Sequence, residues 1–194
     1  NQYLYSLWPY DGKTQITTKN GAITTVVASF QHAPRPALAK AVQTWLKDEP
    51  LAQQHKDQVT IHANPAEDWD IGGFDADAGL TGRKLAVDNY GPRIPLGGGA
   101  FSGKDGTKVD RSAAYMARKI AVDYLKDRHA HEVYVYLAYA IGYSEPVQAS
   151  VIIDGESELI TGYDLTPQGI ITALNLRRPG FEARACYGHF SEGL

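Results

Sequence analysis

One glycine-rich stretch, GGGAFSGKDGTKVDRS from Gly97 to Ser112, carries residue types that bind phosphate. From Gly98 it matches G-x-x-x-x-G-K, the phosphate-binding P-loop pattern, but Asp105 stands where that pattern has Ser or Thr. The preceding residues GPRIPL contain two prolines, which argue against the central strand that feeds a P-loop. A carboxylate at Asp105 would also repel phosphate oxygens. These departures argue against a true P-loop.

The same stretch keeps the physical requirements of an anion site. Glycines let the backbone approach a ligand closely, and the loop leads into a helix predicted to begin at Thr107. The N-terminus of a helix attracts anions through its unpaired N–H groups and its dipole. Lys104 and Lys108 lie within one turn of that end, where cations oppose the dipole unless an anion is bound. Arg83 and Lys84 likewise follow a glycine-rich turn.

Asp110, in the first turn of the predicted helix, has two interpretations. It could form a capping box with Thr107, Asp replacing the usual Glu, or it could hold a metal ion. The alternative to any ligand site is that Lys104 and Lys108 are solvated lysines beside a capping aspartate. The residue chemistry by itself leaves these alternatives open.

The charge distribution favours a small polyanionic ligand over nucleic acid. The chain of 194 residues has a formal net charge of −3 and 21% charged residues, so no overall basic field attracts nucleic acid. The segment from Arg83 to Arg128, however, holds ten Lys and Arg against five Asp and Glu. A local excess of this kind suits a polyanionic small molecule.

Composition also bears on the setting of the protein. No apolar run approaches the roughly 20 residues of a membrane-spanning helix, and we recognise no signal peptide. We therefore expect no membrane association. The single cysteine, Cys186, cannot form an internal disulfide, and we expect it to be a buried small apolar residue. A reducing, cytoplasmic setting fits best.

Local patterns predict the elements that position these residues. Asn20-Gly21 predicts a hairpin turn, and the helical spacing of apolar residues after Thr107 predicts a long helix. Thr166 followed by Pro167 predicts the start of another helix. Further predictions are strands at 22–30, 58–62, 84–90, 133–140 and 148–154, a helix at 37–48, and loops at 70–82 and 91–106. This order predicts an α+β fold with a sheet packed against helices.

Several segments resemble those of methionine adenosyltransferase, also called S-adenosylmethionine synthetase. They are DAGLTGRK, GGGAFSGKD, KVDRSAAY, YAIG-x-x-EP and YGHF, which begin at Asp77, Gly97, Lys108, Tyr139 and Tyr187. PYDGKTQ and SFQH, which begin at Pro9 and Ser29, are similar to two upstream segments of the family. All of these follow the family's order and near-family spacing, and several are too long for chance agreement.

The resemblance implies a fold and a reaction. The family fold is a pseudo-threefold arrangement of α/β repeats whose sheets pack flat between two subunits. This chain would supply about two repeats: residues 1–70, a hairpin, helix and strand, and residues 71–194, the C-terminal repeat with the phosphate-binding loops. Family members form S-adenosylmethionine from ATP and L-methionine. The methionine sulfur displaces the whole triphosphate, which is then hydrolysed, with assistance from Mg²⁺ and K⁺.

Residue roles follow from the matched segments, as the resemblance implies them. Lys84, Lys104 and Arg83 would grip the triphosphate as catalytic residues, together with Lys13 from a neighbouring subunit's face. Asp77 and Lys108 would bind methionine, and Asp110 would bind Mg²⁺. The further ATP-binding residues would be Asp11, Gly12, Trp69, Asp70, Asp77, Ala100 and Ile141.

The sequence also departs from the family. The family's N-terminal HPDK and GDQG motifs do not occur in it, so it resembles roughly the C-terminal half to three-fifths of a full-length enzyme. We expect a catalytic subunit that works with a second protein chain carrying those motifs, in a dimer or tetramer of such pairs. Alternatives are a trimmed fragment, a non-catalytic ligand-binding or regulatory subunit, and an unrelated phosphate-binding protein.

Overall fold

The computed structural model describes residues 1–52, 58–80, 82–186 and 188–190. Thr81 and Tyr187, which belong to segments quoted above, lie outside the described residues. The chain divides into two compact units, unit 1 (Asn1–Gly79) and unit 2 (Leu80–Leu194). The predicted boundary after residue 70 falls before this division, and the assignment of the two parts as repeats stays a prediction.

Unit 1 is built on a three-stranded sheet with the strand order β1-β2-β3. Its elements are α1 (Gln2–Leu7), β1 (Gly12–Lys19), β2 (Ala22–Phe30), α2 (Arg35–Asp48) and β3 (Thr60–Ala63). The antiparallel hairpin of β1 and β2 is confirmed, and Asn20 and Gly21 have φ angles of 51° and 79°, as a type I′ turn requires. β3 pairs parallel to β2, with α2 lying between them in the sequence. Helix α1 was not predicted.

The core of unit 1 lies between β2 and α2. Phe30 and Ala28 of β2 are fully buried, and so is Leu38 of α2. The alternation of buried positions along β2 turns one face of the strand towards the helix. Burial of apolar side chains at helical spacing explains why residues 37–48 fold as predicted.

Asn64 joins three segments of unit 1. Its side chain is fully buried; Oδ1 accepts from the backbone N–H of Phe30 (3.0 Å), and Nδ2 donates to the carbonyl of Ala33 (2.7 Å). Its own carbonyl accepts from Arg35 Nη2 at 2.8 Å. The residue has a φ of 38°, in the left-handed region that Asn tolerates better than most residues. Asn64 thus fixes the end of β2 and the start of α2 together.

Unit 2 is built on an antiparallel three-stranded sheet with the strand order β4-β5-β6. Its elements are α3 (Leu85–Asp88), α4 (Val109–Asp127), β4 (Val133–Ala138), β5 (Gln148–Ile153), β6 (Glu156–Leu159), α5 (Pro167–Ala173) and α6 (Phe181–Arg184). The core joins α4 to α5 through Met116, Ile120 and Ile170. The predicted Thr166 cap is confirmed, because its Oγ1 accepts from the N–H of Gly169 at 3.0 Å. Strand β6 was not predicted.

Three predictions for unit 2 are wrong. The strand predicted at residues 84–90 is the one-turn helix α3, whose Val87 is exposed and so gains nothing from a sheet face. The capping box of Thr107 and Asp110 does not form: Lys108 precedes α4, and the two side chains bond elsewhere. Cys186, expected to be buried, is exposed just after α6.

An aromatic cluster lies beneath the start of α4. Tyr115 is fully buried and its hydroxyl lies 2.8 Å from His189 Nδ1, while Arg111 Nε donates to the same hydroxyl at 3.1 Å. Because Arg can only donate, the Tyr115 hydroxyl oxygen is the acceptor of the bond from Arg111. Burial, followed by the nearby Arg111 charge, lowers the pKa of His189 below its ordinary value. His189 therefore binds a proton less readily in the folded protein than in the unfolded chain.

None of the helices in the described part of the chain combines the length and apolar character needed to cross a membrane.

We predict that Asn64→Ala lowers the free energy of unfolding by roughly 2–4 kcal/mol, because it leaves several buried backbone groups without partners. Asn20→Ala is the matched control: Asn20 also has a positive φ but is exposed, so only the backbone preference is lost, at about 1 kcal/mol. Urea unfolding monitored by circular dichroism measures both values. Equal losses in the two variants would contradict the role of Asn64 in joining the segments.

We predict that the protein loses stability in acid through His189. Because its pKa is lowered on folding, the unfolded chain binds the proton more readily. The contribution of His189 to stability is complete above the pKa of about 6.5 that it has in the unfolded chain. This contribution is lost as the pH falls from there through the pKa of His189 in the folded protein. Urea unfolding between pH 7.5 and 5 should show that the free energy of unfolding of the wild type falls as the pH is lowered. His189→Gln does not titrate at this position and should lack this part of the fall. Parallel pH profiles would overturn the prediction.

Candidate functional site

Lys104 is held at three points in unit 2. Its backbone N–H donates to the carbonyl of the buried Phe101 (3.2 Å), and its carbonyl accepts from Arg111 Nη1 (2.6 Å). Its Nζ lies 2.6 Å from Asp110 Oδ2, and 29% of the side chain is exposed. Lys104 is therefore not a freely solvated lysine, as the alternative interpretation of the sequence required.

The triple glycine lies directly against Asp110. A Cβ atom added to Gly99 would lie 2.5 Å from the carboxyl carbon of Asp110, so a side chain at this position would displace that carboxylate. Since Asp110 also pairs with Lys104, the structure brings the glycine loop, the lysine and the carboxylate together. Asp110 contributes to the loop and not to a capping box.

Asp105, the residue that breaks the P-loop pattern, is bound by its own loop. Its Oδ1 accepts from the backbone N–H of Thr107 (2.8 Å) and from the Thr107 hydroxyl, and its Oδ2 pairs with Lys108 Nζ at 3.0 Å. The hydrogen bond from the Thr107 hydroxyl, followed by that from Lys108, lowers the pKa of Asp105 well below its ordinary value. The charge of Asp105 is thereby balanced at the loop, next to the start of α4.

The segment that carries Arg83 and Lys84 adjoins the glycine loop. Gly82 has a φ of 85°, and a Cβ atom added to it would lie 3.0 Å from the Cβ of Ala100. Arg83 and Lys84 follow this close approach, and both are exposed. The Nζ of Lys84 donates to the carbonyl of Arg83 at 3.4 Å. Two loops that bear predicted phosphate-binding cations thus meet within unit 2.

Ile141 is placed differently from the other predicted residues of unit 2. It follows β4 at the surface and is fully exposed. No described contact joins it to the loops around Lys104 and Ala100. Its expected place in an adenine pocket stays a prediction.

Unit 2 also contains a cavity that the sequence did not indicate. It has a volume of about 700 Å³ and lies between α4, β4 and the loop before Phe101. Gly97–Gly99 and Asp110 border it, and so do Tyr90 and Phe190, whose rings stack at 4.7 Å. Burial raises the pKa of Tyr90 to about 12, so the phenol is neutral. The glycine loop therefore faces a space lined by both apolar and polar residues, Arg118 and Glu132 among them.

In unit 1, Lys13 and Trp69 line one cavity of about 580 Å³. Lys13 pairs in register with Ser29 across β1 and β2, and the indole N–H of Trp69 donates to Ser29 Oγ (3.1 Å) and to Asn64 Oδ1 (3.3 Å). Gly12 lies against Phe30, where a side chain would overlap the ring. The structure thus brings Gly12, Lys13 and Trp69 to one end of the hairpin.

Gln31, which sequence reasoning missed, connects the remaining predicted residues of unit 1. Its amide accepts from the N–H of Asp11 (3.3 Å) and donates to the carbonyl of Asp70 (2.7 Å). Asp11 Oδ2 accepts from the N–H of Gly73 at 2.9 Å, and His32 Nδ1 lies 3.0 Å from Asp70 Oδ1. The available signal was a polar Gln-His pair directly after an apolar strand.

Asp77 forms a local turn. Its Oδ1 accepts from the N–H of Gly79 at 2.8 Å, and the side chain is exposed.

Among the residues that the structure describes, no three His, Cys, Asp or Glu side chains lie close enough to hold a metal ion. Asp110 is thus a single carboxylate. Mg²⁺ is commonly held by one or two carboxylates plus substrate phosphates, so Asp110 fits that ion only when phosphate is also bound.

Comparison with known proteins identifies the relatives of this chain. Residues 71–193 match the family model for the S-adenosylmethionine synthetase C-terminal domain. The chain is 43% identical to an S-adenosylmethionine synthase of Sulfurovum sp., covering 93% of this chain and 52% of that protein. It is also 43% identical to an S-adenosylmethionine synthase of Helicobacter hepaticus, covering 95% of this chain and 52% of that protein.

A solved structure supports the same relationship. An unusual S-adenosylmethionine synthetase from Campylobacter jejuni superposes with a TM-score of 0.80 at 30% identity, covering 94% of this chain and 55% of that one. The predicted α+β fold of this family is thereby confirmed. The chain spans about half the length of the curated relatives that it matches. On these motifs and this fold, the chain belongs to the S-adenosylmethionine synthetase family.

Proposed function

We propose that the chain is a subunit of a methionine adenosyltransferase, a transferase that forms S-adenosylmethionine from ATP and L-methionine and hydrolyses the triphosphate. The observation that carries this proposal is the junction of two cation-bearing loops at Gly82 and Ala100, with Lys104 fixed beside the triple glycine. Because the matched relatives are about twice as long, we further propose that a second protein chain supplies the rest of the active site. We place this assembly in the cytoplasm.

The reaction requires the protein mainly to position the substrates and to supply positive charge. The methionine sulfur is already a nucleophile, so no protein nucleophile is needed. Negative charge gathers on the departing triphosphate, and preorganised cations stabilise it most effectively. In this proposal Arg83, Lys84 and Lys104 bind the triphosphate, and Ala100 contacts ATP through its backbone. Lys108, at the start of α4, pairs with the methionine carboxylate.

Binding of the triphosphate would exchange partners at Lys104. In the structure its ammonium group pairs with Asp110, and a phosphate oxygen would replace that carboxylate. Asp110, released next to the bound phosphates, would then hold Mg²⁺ together with them. When bound, Mg²⁺ supplies charge neutralisation on the phosphates. A role for K⁺ comes from the family resemblance alone.

In this proposal unit 1 binds a nucleoside, as the family resemblance implies. The cavity lined by Lys13 and Trp69 offers an aromatic ring for base stacking and a cation for phosphate. In this proposal Asp11, Gly12 and Asp70 shape the same region, and Asp77 binds the ribose and the methionine amino group. Lys13 would serve a neighbouring subunit's site, as the family resemblance implies.

We predict that the chain alone binds inorganic tripolyphosphate weakly, with an affinity that falls as salt is added. Lys104→Ala should weaken binding by about tenfold, the effect of losing one charge-assisted contact. The matched control is Lys119→Ala, because Lys119 also pairs with an aspartate at 2.7 Å and is similarly buried, but lies further along α4. Isothermal titration calorimetry at low ionic strength measures both. Equal affinities in the two variants would contradict the role of Lys104.

We predict activity only when the missing part is supplied. The assay measures S-adenosylmethionine formed from ATP and methionine. It is run on this chain, on a chain with the HPDK and GDQG motifs, and on their mixture. Only the mixture should form product, and Lys104→Ala in this chain should lower the rate of the mixture by on the order of 100-fold. Lys119→Ala should leave the rate within about twofold, as for a surface ion pair. A mixture that binds tripolyphosphate but forms no product would support the non-catalytic alternative instead.

A further inference from the structure

Arg111 lies inside unit 2 although it carries a permanent charge. Only 4% of the residue is exposed. Its guanidinium carbon lies 4.0 Å from the centre of the Phe181 ring. The ion pairs found among the described residues involve other cations, and none of them includes Arg111. Its charge is instead shared between a backbone carbonyl, a phenol and an aromatic face.

Stability alone does not explain a buried arginine at this position. Removing a guanidinium from water costs free energy, and well-packed apolar residues often replace buried charges without loss. What arginine adds is a planar set of donors in fixed directions. Here one donor, Nη1, bonds the carbonyl of Lys104 at 2.6 Å, a short contact from a charged donor.

A second set of contacts fixes the plane of that guanidinium. Nε donates to the hydroxyl of Tyr115, which also lies 2.8 Å from His189 Nδ1, within hydrogen-bond distance. The ring of Phe101, three residues before Lys104, packs edge-on against both Tyr115 and His189. The bond to Lys104 is therefore anchored to the buried core of unit 2.

We propose that Arg111 is a positioning residue for Lys104. It holds the Lys104 backbone in place so that the ammonium group is presented at the glycine loop, and it does so through Tyr115 and His189 without touching phosphate itself. This inference rests on the proposed function of Lys104 in binding triphosphate.

The test is a double-mutant cycle between Arg111 and Lys104. The quantity measured is the affinity of the full chain for inorganic tripolyphosphate, at a temperature well below that of unfolding. Arg111→Lys keeps the charge but loses the fork of donors, and should weaken binding by about tenfold. In the Lys104→Ala background the same change should alter affinity by less than about twofold, because the residue through which it acts is gone. A purely structural role would lower the unfolding temperature without this coupling.

Tyr115→Phe provides an independent variant that keeps the ring volume and removes only the hydroxyl that anchors Arg111. It should weaken tripolyphosphate binding by about threefold in the wild type and not in the Lys104→Ala background. Equal effects of Arg111→Lys or Tyr115→Phe in both backgrounds, or folded variants with unchanged affinity, would overturn the inference while leaving the role of Lys104 intact. If Lys104→Ala itself binds as the wild type does, the proposed function of Lys104 and this inference both fail.

Discussion

Glycine-rich loops lack the regular hydrogen-bond ladders of helices and strands, so buried side chains must fix their backbones. In unit 2 this constraint is met by Arg111, which is 4% exposed and bonds the carbonyl of Lys104. In unit 1 the fully buried Asn64 performs the same task for the end of β2 and for Trp69. Because a buried polar group that loses its partner retains the cost of its desolvation, each loop is restricted to one arrangement.

The exposed charges behave differently from these buried anchors. The pairs of Lys104 with Asp110 and Lys108 with Asp105 lie at the surface, where ion pairs contribute little to stability and exchange partners readily. The site of unit 2 thus has a rigid backbone and replaceable ionic partners. Such a division suits a polyanion, because binding requires little reorganisation of the loop and each lysine only exchanges one oxygen ligand for another.

The sequence predicted those features that depend on local interactions. The Asn20-Gly21 hairpin and the Thr166 cap depend on neighbouring residues, and both are confirmed. The capping box of Thr107 is wrong because nearby loop residues take both side chains: Asp110 pairs with Lys104, and Thr107 bonds Asp105. The strand predicted at residues 84–90 is wrong because Val87 is exposed and has no sheet to pack in. The family was identifiable from long motifs, but the roles of Gln31 and Arg111 depend on contacts between segments that no local pattern specifies.

The ion pairs also connect the proposed metal to the proposed nucleotide. With Asp110 on Lys104 and Asp105 on Lys108, Arg83 and Lys84 are the two predicted phosphate-binding cations of unit 2 that have no described ion pair. On the proposed function a triphosphate competes with Asp110 for the Lys104 ammonium group, and a displaced carboxylate beside phosphate is unfavourable unless a cation joins it. The cost is removed when Mg²⁺ binds to both, so on the proposed function each ligand raises the affinity of the other. On the proposed function, a single carboxylate at this position would therefore make Mg²⁺ binding dependent on the bound phosphates.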